Sequence, residues 1–336
     1  MTRKINNSYE LGQSNAPTDG GDMLKTRADG TLVWEGVADT TFVPFHFAGS
    51  NYGFNVGGST STGESTGSFV TTRDRFAFSS NITATDWGDL SQSRILLTGQ
   101  SSSTHGFASG GGDAGGYNTI DKFDFTSTAT SADHGDLSQT RRGGSGSSST
   151  TQGFTAGGYV GGSVNTIDKF DFSSNTTATD HGDLSRLARY SSGHTSSDNG
   201  YNAGSNGTGG PGTTIDYYAF SSNTTATDHG DLSVGVIYHA GSSSSTHGFT
   251  AGGNDGGSSN TIEKFAFSSN TTATDHGNLN EGRMFTSGHS ETDYGFASGG
   301  HSTTDAIDRF AFASNTTATD WGNLSQSRTK STGLQY

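Results

Sequence analysis

The sequence predicts an all-β fold: a six-bladed β-propeller of four-stranded blades, preceded by an extended N-terminal arm. Two observations carry that prediction. Similar segments recur along the chain. NTIDKFDFSSNTTATDHGDLS (165–185), TTIDYYAFSSNTTATDHGDLS (213–233), NTIEKFAFSSNTTATDHGNLN (260–280) and DAIDRFAFASNTTATDWGNLS (305–325) are the clearest, with diverged copies from Thr71 and Asn118. An aromatic at one register falls at Phe76, Phe123, Phe170, Tyr218, Phe265 and Phe310, with spacings of 47, 47, 48, 47 and 45. Such a period marks propeller blades or stacked repeats. Each repeat also divides into four strand-length pieces. The breaks between them are rich in Gly, Ser and Asn, which suit turns.

Residues 1–39 lie outside the repeat and are read as an attachment arm. They are polar, carry the turn signals APTDGG and RADG, and end in TLVWEGV with Trp34 as a local anchor. The propeller spans 40–336, with repeats near 40–94, 95–141, 142–189, 190–236, 237–283 and 284–328 and a closing strand at 329–336. In the third repeat the pieces are RRGGSGSSS from Arg141, then 152–159, 165–172 and 177–185. Asp168, Phe170 and Phe172 alternate with Ile167, Lys169 and Asp171, so both faces carry apolar surface. A strand between neighbouring sheets requires that. Gly99, Gly146, Gly193, Gly241 and Gly288 each lie seven residues before a GF or GY pair, and Gly333 is the next in register. The C-terminal segment is therefore a candidate inner strand for blade one. TTFVPFHFAG (40–49), with His46 at the matching place, competes for the slot, and the sequence leaves both open. A linear solenoid would instead need distinct capping repeats.

Composition narrows the function classes. Hydrophobic residues are only 28 %, but they cluster in short strand-like runs with fixed aromatic positions. The net charge of −14 excludes a general nucleic-acid binder, which needs basic surface to displace counterions. Cysteine is absent, which excludes disulfides, thiolate metal sites and a cysteine nucleophile. No run of 18 apolar residues is present, so no membrane insertion by a helix is expected. The N-terminus has no apolar core of the kind a secretory signal carries.

The repeat resembles the kelch repeat. Gly157-Gly158, Phe170, His181 and Arg189 fit its double glycine, two aromatic slots and arginine. So do Gly110-Gly111, Phe123, His134 and Arg141, and Gly299-Gly300, Phe310, Trp321 and Arg328. Gly252 and Gly253 form a further double glycine. The fourth repeat departs, with Gly204-Ser205 and no arginine after Leu232. Tryptophan holds the late aromatic slot at Trp87 and Trp321, whereas His134, His181, His229 and His276 hold it elsewhere. The resemblance covers roughly 41–336. It implies a propeller and leaves function open, since propellers host many activities.

A second resemblance joins DMLKTRADGTLVWEGV (22–37) and the TIDKF…ATDHGDLS repeats to tail-fibre and other structural proteins of marine tailed phages. It implies a non-enzymatic virion protein, located in the particle and reaching the outside by its release. Residues 1–39 would bind other virion proteins of tail or capsid in a homo-oligomeric or symmetric assembly. Loops of the propeller would bind host-surface glycan. Loop tyrosines Tyr117, Tyr159, Tyr201 and Tyr238 are the candidates for stacking on sugars.

The remaining polar series are weighed as chemistry. His134, His181, His229 and His276 are one per repeat, so separate blades keep them beyond the roughly 2 Å ligand bonds of a shared metal. Flat rings packing at blade edges, bonded to a turn, are expected instead. The DHGD carboxylates, such as Asp180 and Asp183, and GGNDGG (252–257) are calcium-like, but Asp and Gly are ordinary turn residues. Asp121, Asp168, Asp216, Glu263 and Asp308 recur once per blade and are expected to pair with a neighbouring blade, through the repeat arginines. The NITA, NTTA and NGTG acceptor patterns are read as turns. No HExxH motif is present, and no metal or cofactor is expected. The competing reading is a polysaccharide-degrading propeller with acids clustered at the central mouth.

Overall fold

The four pieces of each repeat form four antiparallel strands, and the repeats build six separate four-stranded sheets. This computed structural model describes residues 22–26, 32–36, 49–63, 66–113, 115–207, 210–301 and 304–336. Blade two runs Thr98–Ser101, His105–Ser109, Tyr117–Asp124 and Ala132–Arg141 from inner to outer strand. Blade three is Ser145–Ser148, Gln152–Ala156, Val164–Asp171 and Thr179–Ala188. Blade four is Ser192–Thr195, Asn199–Asn206, Pro211–Ala219 and Thr227–Asp231. Blade five is Ala240–Ser243, His247–Ala251, Thr261–Ala266 and Thr274–Asn278. Blade six is Ser287–Ser290, Tyr294–Ser298, Ala306–Ala311 and Thr319–Asn323. Blade one draws its inner strand from Thr332–Gln335, followed by Tyr52–Val56, Thr72–Ala77 and Thr85–Asp89. The C-terminal strand thus holds the slot that the sequence left open. Of the competing segment 40–49, all but Gly49 lies outside the described residues.

The inner strands touch one another in a closed ring around an axis, so the sheets form a six-bladed propeller. The chain divides into units 1–45 and 46–336. In the first, Asp22–Thr26 pairs antiparallel with Leu32–Gly36, placing Trp34 opposite Leu24. The rest of the arm lies outside the described residues.

Close packing at the axis depends on glycine. A Cβ added at Gly146 would run into the carbonyl oxygen of Gly99, at Gly193 into that of Gly146, and at Gly241 into that of Gly193. The series closes through Gly288, Gly333 and Gly99, which meet Gly241, Gly288 and Gly333 in turn. The six glycines that marked the register are thus the points where backbone lies directly on backbone.

The apolar core is divided among the blade interfaces. One cluster joins Phe107, Ile120 and Leu137 of blade two to Phe170, Phe172 and Ala178 around blade three. Equivalent clusters sit at the other junctions. In five of them a second-strand ring stacks on a ring from the next blade, as Phe107 on Phe172 at 4.6 Å, Phe154 on Phe220 at 4.7 Å and Phe249 on Phe312 at 4.5 Å, while Phe54 and Phe125 lie tilted at 5.0 Å in the sixth. Because each cluster is small, a chain with few apolar residues fills all of them.

Ion-pair clamps lock the same junctions. Arg94, leaving blade one, contacts Asp121 of blade two at 3.0 Å, with both side chains fully buried. Its Nη1 donates to the carbonyls of Gly110 and Thr119, and its Nη2 to that of Ala108. Ser91 donates its N–H and hydroxyl to the same carboxylate. Arg141 with Asp168 (2.9 Å), Arg283 with Asp308 (2.6 Å) and Arg328 with Asp74 repeat the clamp. Burial lowers the pKa of Arg94, Arg141 and Arg328, and the facing carboxylate opposes that shift. At the blade three to four junction Ala188 stands at this register. Arg186 substitutes, donating to Ser205 Oγ and the Thr214 carbonyl. Burial raises the pKa of Asp216, opposed by Ser185 and Arg186. Arg189, expected in this slot, lies instead 4.9 Å from the Tyr159 ring and 5.2 Å from that of Tyr190.

Breaking one clamp leaves an uncompensated buried charge. Arg94→Met is expected to cost about 3–5 kcal/mol in denaturant unfolding, and adding Asp121→Leu to recover a large part. Strictly additive losses would contradict the clamp. A second prediction concerns pH. Burial depresses His194 and His289 to about 4, and burial with the neighbouring His194 depresses His239 to about 3. These rings are neutral in the fold and charge in the unfolded chain below its ordinary value of about 6.5. Their stabilisation is therefore complete above that value and is lost as pH falls toward 4, by up to about 3 kcal/mol per ring. Replacing His289 by Gln should flatten the fall in thermal midpoint over that window; an unchanged slope would contradict the assignment.

Candidate functional site

At one mouth of the axial channel the near-identical repeats carry different residues at one shared register. Each outer strand connects to the next inner strand through one residue at the same register: Leu96, Gly143, Tyr190, Tyr238, Phe285 and Lys330. A closed chain of backbone hydrogen bonds links them. Gly143 N–H donates to the Leu96 carbonyl at 2.8 Å, Tyr190 to Gly143 at 2.7 Å, Tyr238 to Tyr190 at 2.9 Å and Phe285 to Tyr238 at 2.7 Å. Lys330 donates to Phe285 at 3.3 Å, and Leu96 closes the ring on Lys330 at 2.8 Å. Reaching the neighbouring blade this way requires a left-handed backbone. The φ values are 55° at Leu96, 65° at Gly143 and 59° at the other four. Five residues with side chains thus hold a conformation that suits glycine, at about 1 kcal/mol each.

Their side chains form an asymmetric crescent. The Tyr190 ring covers Gly143, where an added Cβ would lie 2.5 Å from Tyr190 Cδ1. Tyr190 and Tyr238 rings lie 4.4 Å apart, and Tyr238 and Phe285 3.9 Å apart. Lys330 Nζ sits 5.2 Å from the Phe285 ring and donates to the Thr62 carbonyl at 3.1 Å. The three aromatic rings are half-buried. They border a cavity of about 80 Å³, which continues into a channel section of about 120 Å³. The channel walls are glycine, serine and threonine, together with His239, Leu97 and Ala240.

The other predicted positions fall elsewhere. Tyr201, expected in a loop, is in the second strand of blade four and only 2 % exposed. It occupies the register of Phe107 and Phe154 and stacks on Phe267 at 4.5 Å, so it is a core residue. Tyr117 begins a third strand with its ring over Gly112. Tyr159 packs between Arg142 and Arg189, joining the rim of the crescent through Arg189. Of the four tyrosines, Tyr238 lies within the crescent. Tyr190 and Phe285 were missed, although the spacings from Leu96 to Lys330 repeat the 47, 47, 48, 47 and 45 of the aromatic register.

The late histidines and tryptophans tie blade to blade. His134, His181, His229 and His276 place Nε2 at 2.8–2.9 Å from the carbonyls of Asp171, Ala219, Ala266 and Ala311. Trp87 and Trp321 donate to Phe125 and Ala77 in the same manner. The acceptors are carbonyls in or just after the neighbouring blade's third strand. Burial lowers the pKa of His134, His181 and His276. The first aspartate of each DHGD closes a local turn, as Asp180 does by accepting the Gly182 N–H at 2.8 Å. Asn175 and Asn223 of the acceptor patterns donate to Asp133 and Asp180 carbonyls of the preceding blade. Gly110, Gly111, Gly157, Gly158, Gly252, Gly253, Gly299 and Gly300 all have positive φ. In blade four Ser205 replaces the second glycine and the hairpin extends, pairing Ser205 with Gly212. Among the described residues no group of three or more His, Cys, Asp or Glu side chains is placed to hold a metal ion. No protein-family model matches the chain, and no curated protein matches it.

The left-handed backbone at the mouth gives an inverted substitution order. Tyr238→Gly should be more stable than Tyr238→Ala by about 1 kcal/mol in urea unfolding, because glycine relieves the positive φ. The reverse order would remove backbone strain as a feature of the mouth.

Proposed function

We propose that this propeller is a non-catalytic binding module and that the crescent of Tyr190, Tyr238 and Phe285 is its ligand platform. The observation that carries the proposal is the strained ring itself. Six equivalent positions must adopt a glycine-like backbone, yet three successive blades carry aromatic side chains there. Local backbone strain of this kind is retained where it serves a site. Half-buried rings bordering a polar cavity, with Lys330 on its lining, suit a ligand with an apolar face and hydroxyl edges, as a pyranose has. The blade carboxylates are engaged with serines, backbone N–H groups and arginines at the junctions, which leaves general acid–base chemistry at this mouth without support. The resemblance to phage structural proteins supplies the setting: a virion component, joined to other virion proteins through residues 1–39, that presents the mouth to host-surface glycan.

A glycan array probed with the purified chain tests this. Binding is expected to fall at least ~10-fold in Tyr190→Ala and Tyr238→Ala, in line with the loss of an aromatic platform residue of ~1.4 kcal/mol or more. Binding unchanged in both variants would remove the crescent from the site. Release of new reducing ends from a bound polysaccharide would replace this reading with a degrading enzyme.

A further inference from the structure

The junction between blades four and five carries a second site. Among the described residues, arginines fill the clamp at the five other junctions: Arg94, Arg141, Arg186, Arg283 and Arg328. At this one Val236 stands in the arginine register and no neighbouring arginine substitutes. The acceptors remain. Glu263 holds the carboxylate position at 5 % exposure and takes a hydrogen bond from the Ser233 N–H at 3.0 Å. Thr250, paired with Glu263, corresponds to Ala108, paired with Asp121. The Gly252 N–H donates to the Thr261 carbonyl at 3.0 Å, as Gly110 does to Thr119. The carbonyls of Thr250, Gly252 and Thr261 therefore occupy the places of the three that accept from Arg94. These residues, with Val236, line a cavity of about 40 Å³, room for roughly two or three waters. Asp255 and Val234, both exposed, stand at its edge.

We propose that this cavity is a binding site for a guanidinium group supplied in trans, as by an arginine side chain of another chain. The planar donor fork would meet Glu263 and the three carbonyls as the resident arginines do elsewhere. Val234 offers apolar surface to the methylene stem, and Asp255 adds negative charge at the entrance. The site is separate from the mouth crescent, and its test does not depend on glycan binding.

The full chain is melted with millimolar methylguanidinium, methylammonium, calcium or sodium chloride at matched ionic strength. Methylguanidinium is expected to raise the midpoint saturably by at least ~2 °C, more than methylammonium does. Val236→Arg should raise the midpoint without ligand and abolish the response. Glu263→Gln should fold, by circular dichroism, and also lose the response; it decides the matter where Val236→Arg does not fold. An equal response in wild type and Glu263→Gln, or saturable calcium binding without a guanidinium response, would overturn the proposal. If the donor is a second copy, light scattering shows mass growth with concentration that Val236→Arg abolishes. If it is a small guanidinium compound, the mass stays constant while the melt responds.

Discussion

Backbone-to-backbone contact at the axis sets the geometry of this propeller. Six inner strands meet at Gly99, Gly146, Gly193, Gly241, Gly288 and Gly333, where any side chain would strike the neighbouring carbonyl. Six twisted sheets close around a channel this narrow only when nothing projects between them. The approach brings neighbouring sheets near enough for a carboxylate on one blade's third strand to receive the serine and arginine that leave the blade before it. It also lets a late histidine or tryptophan reach a carbonyl across the junction. Closure falls to the C-terminal strand, which joins the last blade to the first without a covalent link at that edge.

This architecture explains a composition that would suit a disordered chain. Apolar residues at 28 % cannot build one large core. They suffice here because the core is six thin layers, each fed by a second-strand ring, a third-strand isoleucine and an outer-strand leucine or their substitutes. Polar side chains do the remaining packing. Gln100, Ser109 and Thr155 are fully buried, and their hydrogen bonds join one another and the Phe154 carbonyl across a junction. Buried polar groups are stable when satisfied in this way.

Much of the fold was legible because repetition turns a weak pattern into a strong one. The aromatic register, the four pieces and the once-per-blade carboxylates all point to six blades, and the register of Gly333 points to the closing strand. Two misreadings came from taking residues singly. Tyr201 reads as a loop aromatic until it is aligned with Phe107 and Phe154, where the register puts it in the core. Arg189 reads as the clamp residue until the count from Leu184 puts Ala188 there and leaves the role to Arg186, which comes from a different point on the strand. The crescent was not legible. Tyr190, Tyr238 and Phe285 are 48 and 47 residues apart. Only closure of the ring puts them against one another.

In a structure repeated for shape, departures from the repeat are the informative positions. The residues shared by most blades make the same junction contacts, so a different residue at one blade forgoes such a contact there. Two departures stand out physically. At the mouth, side chains occupy positions whose backbone favours glycine, and they gather on three adjacent blades rather than scattering over six. At the blade four to five junction Val236 stands in the arginine register, but the carboxylate and carbonyl acceptors that meet an arginine elsewhere are present. A buried carboxylate without a cationic partner is destabilising when ionised. Glu263, one methylene longer than the aspartates of the other clamps, stands with the carbonyls of Thr250, Gly252 and Thr261 as an acceptor set without its donor, the arrangement that a guanidinium from outside would complete.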